Sequence, residues 1–194
     1  MQRSWISGLT IVMLMACLAG CFSKKPLPEP AWQPQSAAIK LHCRADQRLN
    51  EFDGRPHTLL LVVYQLKAPD FFTKLAKDED GLKRLLRFET VKERLAGNQN
   101  DVAACQRFIL NPGQEKTIVL DRIEGVKVIG VVAGYYNLVP DRVSRFWELP
   151  VQYNREGLLF WKVEAMVDEL TVDLTMGPHA LTAAPPNHSE KEAE

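Results

Sequence analysis

The sequence predicts a mainly β fold, a β-sandwich of about eight strands with one small helical insertion. Three observations lead there. Several short segments alternate apolar and polar residues with a period of two, the mark of a strand with one buried face. One segment, Leu59 to Tyr64, is apolar throughout and rich in β formers, as expected for a central strand covered on both faces. Only one interval, about 69–95, carries helical spacing. Strand runs interrupted by a single helical piece fit a sandwich with an appendage better than an alternating α/β fold.

Taken in order, Ile39, Leu41 and Cys43 alternate with Lys40, His42 and Arg44 and define the first strand. Leu59–Tyr64 follows as the central strand. In the insertion, Phe72, Leu75 and Ala76 share one helical face, as do Leu82, Leu85 and Leu86, with Asp80 as the expected N-cap of the second piece. Residues 104–110 form a strand ended by Asn111-Pro112-Gly113, a turn signal, and Thr117–Leu120 returns as the other arm of a hairpin. Val126–Tyr135 is a long strand holding Gly130 and Gly134, glycines that in a strand mark a bulge or close packing. Ser144–Val151 is one further strand. Leu159, Trp161, Val163, Ala165 and Val167 are expected to face inward on the next, alternating with Lys162, Glu164 and Asp168. Thr171–Thr175 closes the domain with Val172 and Leu174 inward.

Both ends of the chain differ from this middle. Arg3 and the apolar stretch Leu9–Cys17 form a signal sequence too short to span a bilayer, which needs roughly 20 apolar residues. It ends in Leu18-Ala19-Gly20-Cys21, which resembles a bacterial lipobox; Leu14-Met15-Ala16-Cys17 is a weaker match with a bulky residue at its second position. Residues 1–20 are therefore read as a lipoprotein signal peptide and Cys21 as the lipidated residue, the covalent lipid being the only added group expected. Each acyl CH₂ buried in a bilayer contributes about 0.8 kcal/mol, so three chains anchor the protein permanently. Phe22 stands where an Asp would signal retention at the inner membrane, which favours the outer membrane. Residues 21–36, with Pro26, Pro28, Pro30 and Pro34, read as an extended tether, and 37–176 as the folded domain. From Gly177 to Glu194, prolines and a charged finish predict a disordered tail.

Composition narrows the function. The chain has 194 residues, 46% hydrophobic and 25% charged, enough for one domain with a real core. Lys+Arg and Asp+Glu number 24 each, so no basic excess points to nucleic acid. Past the signal peptide the serines are Ser23, Ser36, Ser144 and Ser189, and none sits in a G-x-S-x-G elbow. His42, His57, His179 and His188 form no H-x-x-x-H pair and accompany no C-x-x-C, so no metal site is expected. Gly125 and Gly130 have P-loop spacing, but Val131 stands where the phosphate-binding lysine belongs. Asp78-Glu79-Asp80-Gly81 resembles part of a calcium loop, but Ala76 replaces its first carboxylate. No catalytic residue is assigned.

Two features remain. Cys43 and Cys105 are candidates for a disulfide, since an envelope compartment oxidises a close pair. Cys105 is out of phase with Phe108 and Leu110, which leaves two separate buried thiols as the alternative. The other feature is the long polar connection between the first two strands. It includes Gln47, Arg48, Leu49, Asn50, Glu51, Phe52 and Asp53. An exposed Leu and Phe among charges suit a partner anchor with a polar rim, and a loop folded back with Phe52 in the core is the other reading.

Several stretches, in order, resemble the outer-membrane lipoprotein family of the type VI secretion system, TssJ or SciN. They are the lipobox, the Pro-containing tether, Leu49-Asn50, Gly54-Arg55-Pro56, Val63-Tyr64-Gln65-Leu66 and Phe71-Phe72-x-x-Leu75. Leu110-Asn111-Pro112-Gly113, Val128 to Tyr135 and Phe146-Trp147 follow. The resemblance spans about residues 37–152, while the extended C-terminus and the Cys43/Cys105 pair depart from it. It implies a transthyretin-like sandwich without enzymatic activity, lipid-anchored in the outer membrane and facing the periplasm. It implies a structural role, holding the secretion membrane complex to that membrane by binding the periplasmic C-terminal region of the IcmF-like inner-membrane protein TssM. A second secretion-system lipoprotein or membrane subunit is a further expected neighbour. The loop between the first two strands, about Gln47–Asp53, is the family's contact element. The competing reading is an envelope lipoprotein that carries a small ligand within or between sandwich domains.

Overall fold

The computed structural model describes residues 26–87, 101–156 and 162–185. Ten strands are present among them: β1 (Gln35–Ala45), β2 (Leu59–Leu66), β3 (Val102–Leu110), β4 (Glu115–Arg122), β5 (Val128–Ala133), β6 (Ser144–Glu148), β7 (Val151–Glu156), β8 (Lys162–Val167), β9 (Leu170–Met176) and β10 (Leu181–Ala183). Three short helices accompany them, α1 (Asp70–Leu75), α2 (Glu79–Arg87) and α3 (Pro140–Val143). One sheet has the order β10-β9-β1-β4, the other β3-β2-β5-β6, and β7 and β8 pair as a separate ribbon. The β1–β9 pair is parallel and every other pair antiparallel.

The alternation along β1 puts Ile39, Leu41, Cys43 and Ala45 inward and leaves His42 and Arg44 exposed. Registered against them are Leu170, Val172, Leu174 and Met176 of β9, with Leu120 and Ile118 of β4. From the second sheet, Leu59, Leu61 and Val63 on β2 and Ile129 and Val131 on β5 are all at most 1% exposed. Full burial of such side chains is worth about 1.5–3 kcal/mol each, and this two-sided packing is the main source of stability.

β2 is buried along nearly its whole length because the helices cover its other face. Tyr64 donates its hydroxyl to the Leu85 carbonyl and meets Phe72 edge-on at 5.6 Å between ring centroids. Gly130, directly opposite Tyr64, is the floor under Phe72: a Cβ there would lie 2.8 Å from the ring. The strand glycine is thus a close-packing site.

The structure differs from the sequence reading in several places. Ser144–Val151 is not one strand, because Pro150, lacking an N–H, separates β6 from β7. Val163, Ala165 and Val167 are half-buried rather than in the core, since β8 pairs with β7 alone. Leu159 and Trp161 lie outside the described residues. The N-cap of α2 is Asp78, whose carboxylate accepts the Gly81 N–H at 2.7 Å, with Asp80 in the first turn. The helical interval ends in description at Arg87, and residues 88–95 lie outside the described residues.

Both predicted domain boundaries also move. The assigned tail contains β10, paired to β9 with Leu181 fully buried. The assigned tether is part of the domain from Pro30 onward: Pro30 is buried and Trp32 packs against the core. Proline-rich composition marks chain that resists regular structure, and that chain can still dock. Residues 1–25, with the signal peptide and Cys21, lie outside the described residues, as do 186–194.

No bridge joins Cys43 to Cys105. Directly paired residues share a sheet face, so Cys105, opposite Tyr64, lies on the helix-covered face of its sheet. Cys43 points between the sheets. A whole sheet separates the two positions, and no bulge on one strand repairs that.

Candidate functional site

The connection from β1 to β2 is a built loop. Asp46 turns the chain, its carboxylate accepting the Arg48 N–H at 2.7 Å and its carbonyl the Leu49 N–H at 3.0 Å. Leu49 is fully buried in the core cluster. Asn50, at φ 48°, is 4% exposed and serves as a clasp. Its amide donates to the Thr58 carbonyl at 3.0 Å and its side-chain oxygen accepts the Tyr136 N–H at 3.0 Å. The Glu51 N–H donates to the Pro178 carbonyl at 2.9 Å, so the segment after β9 supports the loop from behind. Gln47 lies against Gly113, where a Cβ would meet its side chain at 2.5 Å.

Beyond Asn50 the chain folds into a miniature hairpin. Phe52 and Arg55 exchange backbone hydrogen bonds of 2.9 and 3.0 Å around Asp53 and Gly54, with φ 51° and 70°. Left-handed values at both central residues are those of a type I′ turn, which Asp-Gly favours. This dipeptide was the missed sequence signal for a tight turn here.

The hairpin presents Phe52, 54% exposed, stacked on Tyr136, 56% exposed, with centroids 4.4 Å apart and planes 20° from parallel. His57 meets Tyr136 edge-on at 5.1 Å. Arg48 grips the Glu51 carboxylate through two nitrogens, at 2.5 and 3.1 Å. That guanidinium holds the Glu51 carboxyl below the usual carboxylate range. Beside the rings is a cavity of about 320 Å³ lined by Glu51, Phe52, Tyr135, Tyr136, Pro178 and His179 among others. Burial pushes the Tyr135 phenol up, and its hydroxyl donates to the Ala180 carbonyl at 2.8 Å.

Leu49 and Phe52, paired in the sequence reading, therefore part company, one entering the core and the other facing solvent. Gln47, Arg48, Asn50, Glu51 and Asp53 surround them as turn, ion pair and clasp. Tyr136, Pro178 and His179 were missed. Tyr136 follows a strand with no local sign that it covers Phe52, and the other two lie in the assigned tail.

A second cavity of about 540 Å³ opens on the helical side, lined by Phe72, Lys77, Asp141, Arg145 and Phe146 among others. Both cavities lie outside the inter-sheet space. Among the described residues no three His, Cys, Asp or Glu side chains gather in a metal-binding arrangement, and no helix is long and apolar enough to cross a membrane.

Comparison with known proteins places this geometry. Among solved structures, the chain resembles the type VI secretion lipoprotein TssJ1 of Pseudomonas aeruginosa, with a TM-score of 0.57 and 20% identity over 82% of this chain and 99% of that one. It also resembles Lip of Serratia marcescens, a membrane-bound component of the type VI secretion system, with a TM-score of 0.54 and 22% identity over 76% and 96%. At such identities the likeness establishes the fold. No curated protein sequence matches the chain. The model of the type VI secretion lipoproteins (T6SS-SciN; VasD, EvfM, TssJ) matches residues 37–174, the sandwich through β9 with the loop just described. The chain belongs to the type VI secretion lipoprotein family.

Proposed function

We propose that this lipoprotein is a structural, non-catalytic link of the type VI secretion membrane complex. Acyl chains on Cys21 hold it in the outer membrane with the domain facing the periplasm. The loop Gln47–Asp53, completed by Tyr136, binds the periplasmic C-terminal region of the IcmF-like inner-membrane protein TssM. A second secretion-system lipoprotein or membrane subunit is a further neighbour in that assembly.

The observation that carries the reading is the solvent-facing stack of Phe52 on Tyr136, beside a cavity and rimmed by the Arg48–Glu51 pair. Two stacked aromatic rings left more than half exposed, one on the Phe52–Arg55 hairpin and one just after β5, have the composition of an interface hot spot with a polar rim. Tyr and Phe also bury much area while ordering few torsions. The reading further rests on the family match, which includes this loop.

The test is titration calorimetry of the soluble chain from Phe22 against the partner's periplasmic C-terminal region. One-to-one binding is expected. Phe52→Ala and Tyr136→Ala should each weaken it by about tenfold or more, roughly 1.4 kcal/mol per tenfold, with little change in thermal midpoint. Equal affinity in both variants rejects the loop as the site, and no binding by the folded wild-type chain rejects the partner.

A further inference from the structure

The stretch Glu29–Gln33, read from sequence as free tether, is bound across one end of the sandwich. Pro30 is buried. The Gly125 N–H donates to the Trp32 carbonyl at 2.8 Å, and Arg122, 5% exposed, donates through Nε to the Gln33 carbonyl at 3.0 Å. Lys127 stands 5.4 Å from the Trp32 ring centroid and pairs with Glu29 at 2.8 Å, while Trp32 Nε1 donates to the same carboxylate at 3.4 Å. This end holds the start of β1 and the β4–β5 turn. The Phe52–Tyr136 pair stands at the other, past the far ends of β1 and β5.

We propose that this strap is a positioning device that turns the strapped end of the sandwich toward the membrane surface and displays the Phe52–Tyr136 end away from it. The proposal rests on the reading of Cys21 as the anchor. Its force is a comparison of lengths. Cys21 is nine residues before Pro30, so the intervening chain, whatever its conformation, spans at most about 30 Å. β1 has 11 residues and is itself about 35 Å long. Bringing the loop end to the bilayer would need a tether running the length of the sandwich, about 35 Å, which exceeds that reach. Releasing the strap as far as Gln35 makes the connection from Cys21 fourteen residues long with a maximum reach of about 48 Å, and the inverted orientation opens. The strap thus converts a lipid anchor, which constrains one point, into a constraint on direction.

The experiment uses the full lipidated protein in vesicles of phosphatidylethanolamine and phosphatidylglycerol carrying a headgroup acceptor dye. A donor dye is placed on Glu124→Cys or Asp53→Cys, each in a Cys105→Ser background. Energy transfer from position 124 should exceed that from position 53 by about twofold or more, given the length of the sandwich. The contrast should shrink toward one in Trp32→Ala with Glu29→Ala. It should also shrink when about ten Gly/Ser residues are inserted between Lys25 and Pro26, which lengthens the tether and leaves the strap intact. Equal transfer from the two positions in the strapped protein overturns the proposal, as does a contrast that survives both changes. A chain that fails to reach the vesicles overturns the anchor reading and the proposal with it. The partner reading is scored separately, because Trp32→Ala should bind the partner in solution with unchanged affinity.

Discussion

Leu49 and Phe52 are three positions apart in one loop and have opposite fates. Leu49 is fully buried, so Leu49→Ala should destabilise the fold by about 2–5 kcal/mol. Urea unfolding of that variant beside Phe52→Ala separates the two roles, since removing an exposed ring should leave stability within about 0.5 kcal/mol. Cys43 gives a pH signature. Burial pushes its thiol up to about 12, with the Lys116 ammonium lowering it slightly. In the unfolded chain a thiol titrates near about 8.5. The folded value is the higher one, so this contribution is complete below about pH 8.5 and is lost as pH rises toward 12, at up to about 1.4 kcal/mol per unit. Urea unfolding between about pH 8 and 10 should show that decline in the wild-type chain and a shallower one in Cys43→Ala.

At the scale of elements, the consequential strand is the shortest. β10 contributes three residues, yet Leu181 fills the core and the turn before it supplies the Pro178 carbonyl to the Glu51 N–H. Ending the chain after Met176 should therefore cost at least about 3 kcal/mol, from one buried leucine and several hydrogen bonds. The same truncation should speed hydrogen exchange at Glu51. A thermal midpoint and a Glu51 exchange rate equal to those of the full chain would return this segment to the status of a tail. β7 and β8 teach the converse. Their alternation resembles that of a core strand, but Pro150 turns them out of the main sheets, and periodicity cannot say which face another sheet will cover.

At the scale of the molecule, the Gln47–Asp53 loop and the strap occupy opposite ends of one sandwich, and β1 connects them. Replacing Cys21 by Ser should release a folded domain into the soluble periplasmic fraction and stop secretion, with the thermal midpoint of the soluble domain unchanged. Fractionation and a secretion assay check both halves, and normal secretion by the released protein would remove the anchor from the mechanism.

Much of this was legible before any coordinates. Period-two alternation fixes which residues of β1 and β9 face inward, because a strand offers each side chain one of two faces. Length and polarity marked the Gln47–Asp53 loop, and ordered short motifs pointed to its family. Other features depend on contacts between residues far apart in the chain. Tyr136 meets Phe52 across more than eighty positions, Gly177 and Pro178 hold the loop from the far end of the chain, and a full sheet separates Cys43 from Cys105. Local pattern is set by the geometry of a few neighbouring residues. Which surfaces meet is set by how the sheets, the helices and the docked Glu29–Gln33 segment fill the same space.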